Sequence, residues 1–264
     1  LWEPKNYEGR FDGPMPLRIG LEKSKNLVSI RVMQAIGPEY AQEFVRKFGF
    51  QPDKHPANLP MALGAGSVTP WQMLGGYTVF ANGGYRVQPY LIERVTDVDG
   101  RTLMRTTNRT AGDESIRAID DRNAYIMQSL LHGVATRGTA ARASRMLKRG
   151  DIGGKTGTTN NSHDAWFCGY AGGLVAVSWM GYDNPKPLGA RETGGGLALP
   201  VWIDFMKAEL KGVPEYTRVM PSSVVERDGE VFYRDPVKGA AGAFSDLLMS
   251  GRDEASELVR DQIF

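Results

Sequence analysis

The sequence predicts an α+β fold in which helices flank an antiparallel sheet. Three consecutive stretches between residues 153 and 183 have strand character, and a pair of glycines joins the second to the third. Several helical patterns precede them, and one more follows at residues 199–210. Strands that follow one another without intervening helices favour an antiparallel sheet over a doubly wound parallel one.

The first half of the chain is predicted to be mainly helical. Residues 17–35 carry apolar side chains at mixed helical spacing on both sides of a polar break at 24–26, which we interpret as a turn between two helices. Residues 39–48 have an apolar helical face and stop at a glycine. Thr69 and Pro70 are residue types preferred at the N-cap and first position, so a third helix begins there.

The second half alternates strands and helices. Residues 90–106 predict a hairpin around an Asp-Gly turn. Asp120 or Asp121 caps a helix with an apolar stripe, and residues 165–172 and 173–183 predict two strands. The stripe consists of Ala124, Met127, Leu130, Leu131 and Val134.

The composition changes past Lys211, where acidic residues and prolines become frequent. We therefore predict one domain over residues 1–211 and an acidic appendage or linker over 212–264. A small hairpin around an Asp-Gly turn is expected near residue 228.

Composition excludes several classes of function. A chain of 264 residues with 41% hydrophobic content can bury a sizeable core. The net charge of +2 is too even for a nucleic-acid binder. Cys168 is the single cysteine, so no internal disulfide forms, and three scattered histidines predict no metal site and no cofactor. The longest apolar run, residues 173–181, is too short to span a bilayer.

The stretch "GGKTGTTNN" at residues 153–161 fits two motifs. A phosphate-binding P-loop would use Gly154, Lys155 and Thr156, but its first glycine would fall at Arg149, and neither the preceding apolar strand nor the following helix is present. The alternative is a strand beside an active site, on which a lysine and a threonine bind a carboxylate and a glycine lets a ligand approach. A solvated edge strand is the plain structural alternative.

A second motif supports the active-site interpretation. Ser24-Lys25-Asn26 lies at the polar break, and alone it would be only a capped turn. Serine-x-asparagine followed by lysine-threonine-glycine is the pair found, together with Ser-x-x-Lys, in penicillin-binding proteins and class A β-lactamases.

From about Leu1 to Leu210 the sequence resembles the C-terminal transpeptidase domain of a class A, bifunctional penicillin-binding protein. The resemblance rests on "FDGPMPLRIGLEKSKNLVSIRVMQAIG", "LGAGSVTPWQMLGGYTVFANGG", "GGKTGTTNNSHDAWFCGY" and "LALPVWIDFM". It implies a serine β-lactamase or DD-transpeptidase-like fold. It also implies a serine-type D-Ala-D-Ala transpeptidase or carboxypeptidase that cross-links peptidoglycan, lies on the periplasmic face of the bacterial inner membrane and binds β-lactams.

The resemblance also implies roles for individual residues. Ser24 would bond the general base and relay a proton, and Asn26 would hold the peptide amide of the substrate. Lys155 would keep the pocket positive, and Thr156 or Thr158 would favour the substrate carboxylate. The Thr158 backbone would help to form the oxyanion hole, with Gly157 leaving room for the substrate.

The family's nucleophile motif is missing from this sequence. None of its serines has a lysine three positions further on. We therefore expect the nucleophile, part of the sheet, a glycosyltransferase half and a membrane anchor to lie upstream of Leu1, so that the fold here is incomplete at its N-terminus. The alternative is a non-catalytic module that binds penicillin or peptidoglycan.

Overall fold

The computed structural model of the protein describes residues 2–235, and seven α-helices and seven strands lie within them. The helices are α1 (Leu17–Glu22), α2 (Asn26–Ile36), α3 (Pro38–Phe44), α4 (Pro70–Ala81), α5 (Asp121–Thr136), α6 (Ala141–Leu147) and α7 (Leu199–Glu209). The strands are β1 (Arg94–Thr96), β2 (Thr102–Arg105), β3 (Gly153–Thr158), β4 (Ala165–Ala171), β5 (Leu174–Met180), β6 (Val224–Arg227) and β7 (Glu230–Tyr233).

An antiparallel sheet in the order β3-β4-β5 forms the centre of the fold. In its register Lys155 lies opposite Cys168, and Thr158 lies opposite Ala165. The pairing of β3 with β4 is continuous from Gly153 to Thr158. Because successive side chains of a strand without a bulge point to opposite faces, Thr156 and Thr158 project from the face opposite to that of Lys155.

Helices cover the sheet, as the sequence predicts. The largest core cluster lies between the sheet and α7, where the rings of Phe167 and Trp202 meet edge to face with centroids 4.9 Å apart. The indole of Trp202 also donates a hydrogen bond of 3.1 Å to the carbonyl of Ala176 on β5. Helix α5 packs against β3, and α4 packs against β4 and β5. These contacts fix β3 within the molecule.

The predicted helix boundaries are mostly confirmed. The polar break separates α1 from α2, Thr69 caps α4 through a reciprocal capping box with Gln72, and Asp120 caps α5. The helix predicted over 39–48 differs in its last turn. It is α-helical to Phe44 and then tightens into a 3₁₀ turn that ends at Gly49, whose φ of 92° is accessible to glycine.

Contacts divide the chain into two compact units, Leu1–Arg218 and Val219–Phe264. The first unit contains the sheet, its helices and the exposed β1–β2 hairpin, whose predicted Asp-Gly turn is present. The second contains the predicted hairpin β6–β7. Residues 212–218 belong to the first unit, where Arg149 donates to the carbonyls of Val213 and Pro214. The predicted boundary after Lys211 stays a prediction.

Candidate active site

The first part of the candidate site is the turn between α1 and α2. Ser24 has a φ of 53°, which is uncommon for a residue with a side chain. The turn is closed by two backbone hydrogen bonds, one from Ser24 to Leu21 and one from Lys25 to Gly20. A Cβ at Gly20 would lie 2.7 Å from the side chain of Val28, so the absence of a side chain lets α1 and α2 approach closely. This packing leaves Ser24 exposed at the tip.

Lys25 stabilises the turn through ion pairs with the N-terminal segment. Its ammonium is buried and pairs with Asp12 at 2.6 Å and Glu8 at 3.0 Å. The hydrogen bond to Asp12, and to a smaller extent the one to Glu8, raises the pKa of Lys25 above its ordinary value. The middle residue of the Ser-x-Asn motif is therefore a structural cation.

Asn26 is the first residue of α2, and its amide donates a hydrogen bond of 2.9 Å to the carbonyl of Lys5. The neighbouring Asn6 is buried and accepts from the backbone of Leu27. In this arrangement the Asn26 side chain ties the N-terminal segment to α2. The structure does not bring it into hydrogen-bond contact with Lys155 in the described part of the chain.

Ser24 and Lys155 are brought together from positions 131 residues apart. The Lys155 Nζ donates to Ser24 Oγ at 2.7 Å and to the carbonyl of Thr156 at 3.0 Å. No residue between 2 and 235 forms an ion pair with Lys155. Burial without a counter-ion lowers the pKa of Lys155 to about 8. The side chain is therefore still mainly cationic near neutral pH.

The other residues of the motif face different partners. The hydroxyl of Thr156 lies 2.7 Å from that of Thr139. The hydroxyl of Thr158 accepts a hydrogen bond of 3.0 Å from the backbone of Gly194. At Gly157, a Cβ would lie 3.2 Å from the Cβ of Trp166, a tight contact beside the strand.

Two contributors to this geometry were missed from the sequence. Gly194 begins the π-helical turn Gly194–Ala198, and a Cβ there would lie 2.4 Å from the carbonyl oxygens of both Gly157 and Trp166. Only glycine fits so close to the backbone of the motif strand. The signal was the run of three glycines after Thr193, a cap residue. Thr139, the second contributor, had no distinctive sequence signal.

The P-loop interpretation is wrong. Lys155 lies in the middle of β3, and the chain continues through a short 3₁₀ turn into β4, so no helix N-terminus follows the lysine. Within residues 2–235 no group of histidine, cysteine and acidic residues is arranged to hold a metal ion, and no helix there is long and apolar enough to cross a bilayer.

Two of the arginines near β3 are neutralised. Arg149 makes a bidentate pair with Asp151 at 2.7 and 2.8 Å, and Arg137 pairs with Glu22 at 2.6 Å. The segment at residues 137–151 therefore produces a weaker positive field than its number of arginines and lysines indicates.

Comparisons with known proteins identify the family of the chain. The family model "Penicillin binding protein transpeptidase domain" matches residues 2–207. The chain is 46% identical over 235 residues to penicillin-binding protein 1A of Neisseria lactamica, covering 89% of this chain and 29% of that protein. It is 41% identical to penicillin-binding protein 1A of Pseudomonas aeruginosa, covering 94% of this chain and 36% of that protein.

Solved structures give the same result. The crystal structure of penicillin-binding protein 1A from Haemophilus influenzae matches with a TM-score of 0.80 and 37% identity, covering 86% of this chain and 39% of that one. The chain thus spans about a third of the length of these relatives. The match confirms the predicted fold class, an antiparallel sheet flanked by helices in the manner of transpeptidases. The chain belongs to the penicillin-binding protein transpeptidase family.

Proposed function

We propose that the chain is part of a peptidoglycan cross-linking DD-transpeptidase, which transfers an acyl group from D-Ala-D-Ala stem peptides through a serine ester and is inhibited by β-lactams. One observation carries the proposal. In a chain of the transpeptidase family, the Lys155 Nζ lies 2.7 Å from Ser24 Oγ and has no ion-pair partner in the described residues. A desolvated cation without a counter-ion suits an anionic ligand.

The proposed reaction has two acyl-transfer steps. A serine hydroxyl attacks the penultimate D-Ala carbonyl, the bond to the terminal D-Ala breaks, and the departing amine takes a proton. An amine of a neighbouring stem peptide then attacks the ester and restores the hydroxyl. Hydrolysis of the same ester would give the carboxypeptidase activity.

Each motif residue has a proposed role in these steps. Ser24 relays the proton to the leaving amine, because its hydroxyl is exposed and already bonded to Lys155. Lys155 attracts the terminal carboxylate, and Thr156 or Thr158 assists it after its hydroxyl leaves the partner that it has here, Thr139 or the Gly194 backbone. The Thr158 backbone N–H contributes to the oxyanion hole, and Asn26 binds the peptide amide after releasing its contact with the carbonyl of Lys5.

The nucleophile is proposed to come from a part of the protein outside residues 1–264, since no serine in this sequence has a lysine three positions on. For the whole protein, the family relationship also supports a glycosyltransferase half, a membrane anchor and a periplasmic location, which we propose here. The relatives are about three times as long as this chain, which leaves room for such parts.

The test uses the full-length protein that contains this sequence. Lys155→Ala should slow acylation by fluorescent penicillin about tenfold to one-hundredfold, because a hydrogen bond to a charged group contributes about 1.5–3 kcal/mol. The matched control is Lys148→Ala, which removes an exposed lysine from the end of α6. Equal acylation rates for the two variants would remove Lys155 from the site.

A second measurement with penicillin separates the enzyme from a non-catalytic binding module. Only the missing Ser-x-x-Lys favours that alternative. Peptide mass spectrometry of the penicillin-treated wild-type protein should find one serine carrying the label. Reversible binding without a covalent adduct would favour the module.

A further inference from the structure

The corner between α5 and α6 contacts both halves of the candidate site. It consists of Arg137, Gly138 and Thr139, which follow the last residue of α5 and precede α6. One side of this corner bonds the end of α1, two residues before Ser24. The other side bonds β3, one residue after Lys155. The proposed function assigns no role to it.

The contacts with α1 all converge on Glu22. Arg137 donates to the Glu22 carboxylate at 2.6 Å, and the backbone N–H of Thr139 donates to the Glu22 carbonyl at 3.0 Å. The carboxylate is only 4% exposed, so it depends on this partner. A Cβ on Gly138 would lie 2.3 Å from the Glu22 carbonyl oxygen, so α1 sits directly on the corner backbone.

The contact with β3 is a single hydrogen bond between two hydroxyls. Thr139 Oγ1 lies 2.7 Å from Thr156 Oγ1. In the described residues β3 pairs with β4 alone, so its other edge has no strand beside it. The bond to Thr139 therefore restrains one side chain of this edge strand, directly after the lysine.

These contacts close a ring of interactions. The direct bond from Lys155 to Ser24 joins the turn to the strand, and the route through Glu22, Thr139 and Thr156 joins them a second time. A lysine has a long flexible side chain, and holding it in one position costs conformational entropy. A second connection between the two backbones reduces that cost, because both ends are already in position before the bond forms.

We propose that Thr139 is a positioning residue that sets the distance between Ser24 and Lys155 by bonding the α1 end through its backbone and β3 through its hydroxyl. The inference rests on the proposed function. Thr139 acts through Thr156 and does not touch the reacting atoms.

The test is the rate of penicillin acylation of the full-length protein as a function of pH. Thr139→Val keeps the shape of the side chain and removes the hydroxyl, so acylation should slow about three- to tenfold. Thr139→Ser keeps the hydroxyl and should restore the rate. The matched control is Thr136→Val at the end of α5. Among the described residues the Thr136 hydroxyl bonds only to carbonyls of its own helix, so its loss should leave the rate unchanged.

The pH profile distinguishes positioning from a general loss of stability. Acylation that needs cationic Lys155 should fall as the pH rises through the pKa of about 8. If Thr139→Val lets water reach Lys155, this falling limb moves to higher pH. Cys168 lies opposite Lys155 on β4. Its thiol does not contribute to the pH profile near pH 8, because burial raises its pKa to about 12.

Each outcome decides between the two proposals. The positioning role is supported if Thr139→Val slows acylation and moves the fall in rate to higher pH, and if Thr139→Ser keeps the wild-type rate. A wild-type protein that takes label, together with a Thr139→Val protein of equal rate and equal pH profile, overturns the positioning role and leaves the proposed function intact. A wild-type protein that takes no label overturns both.

Discussion

Replacing Lys155 by methionine should slow penicillin acylation, as for Lys155→Ala, and at the same time stabilise the fold near neutral pH. Burial lowers the pKa of Lys155 from its ordinary 10.5 to about 8. Below pH 8 the lysine is protonated in both the folded and the unfolded chain, so folding must bury a charge. At about 1.4 kcal/mol per pKa unit, this penalty is about 3 kcal/mol.

The stabilisation expected for Lys155→Met is smaller than this desolvation penalty, because the substitution also removes two hydrogen bonds. The carbonyl of Thr156 and the hydroxyl of Ser24 each lose a donor, at a cost of about 1 kcal/mol or less apiece where water can replace it. We expect the free energy of unfolding to rise by about 1–2 kcal/mol at pH 7. For a domain of this size the melting temperature should rise by about 2–8 °C.

The sign of the pH dependence gives the sharper test. The folded pKa lies below the unfolded one, so between pH 8 and 10.5 the unfolded chain binds more protons, and wild-type stability gains from a rise in pH. By pH 10 only about 1 kcal/mol of the penalty is left. The advantage of Lys155→Met should therefore shrink or vanish between pH 7 and pH 10.

Differential scanning calorimetry of the full-length protein at both pH values measures this effect. Lys207→Met, which removes an exposed lysine from α7, is the control for a loss of charge at the surface. A Lys155→Met protein that melts below the wild type at pH 7, by the same margin at pH 10, would refute the desolvation argument.

Three further outcomes are expected. Ser24→Ala in the full-length protein should slow penicillin acylation while leaving the melting temperature nearly unchanged; normal acylation with a melting temperature several degrees lower would show that the serine is only a turn residue. Asp151→Asn should cost about 3–5 kcal/mol in thermal or denaturant unfolding, because it leaves the Arg149 guanidinium almost buried without its anion. Burial raises the pKa of Asp151, but the hydrogen bonds from Arg149 and the backbone outweigh this effect and lower the pKa overall. The wild type therefore loses the stability contributed by the Asp151 carboxylate as the pH falls below about 4. The difference in stability between the wild type and Asp151→Asn should become smaller there. Residues 1–264 produced alone should form no covalent adduct with penicillin, and stoichiometric label on Ser24 would contradict the proposed origin of the nucleophile.

Local sequence patterns predicted most of the helices and strands. The capping box at Thr69, the cap at Asp120 and the pair Gly172 and Gly173 each depend on interactions among a few neighbouring residues. Such interactions act at short range, so a sequence window contains all the groups that take part. The motifs "SKN" and "KTGT" are likewise contained in a few consecutive residues.

The tertiary structure decided how the motif residues meet. Ser24 and Lys155 are 131 residues apart, and their contact exists because α1 packs on α5 and α5 packs on β3. The roles of Thr139 and Gly194 follow from backbones that approach closely only in the folded chain. The hydrogen bond from the Asn26 amide to the carbonyl of Lys5 is another long-range contact that the motif did not predict.

The sequence by itself therefore determined the family, the order of the elements and the residue types of the site. The charge state of Lys155 was decided by the fold alone. Its pKa depends on how much water the surrounding side chains and backbones remove, and those groups come from distant parts of the chain. Burial is a property of the whole packed structure, whereas a motif is a property of a few consecutive residues.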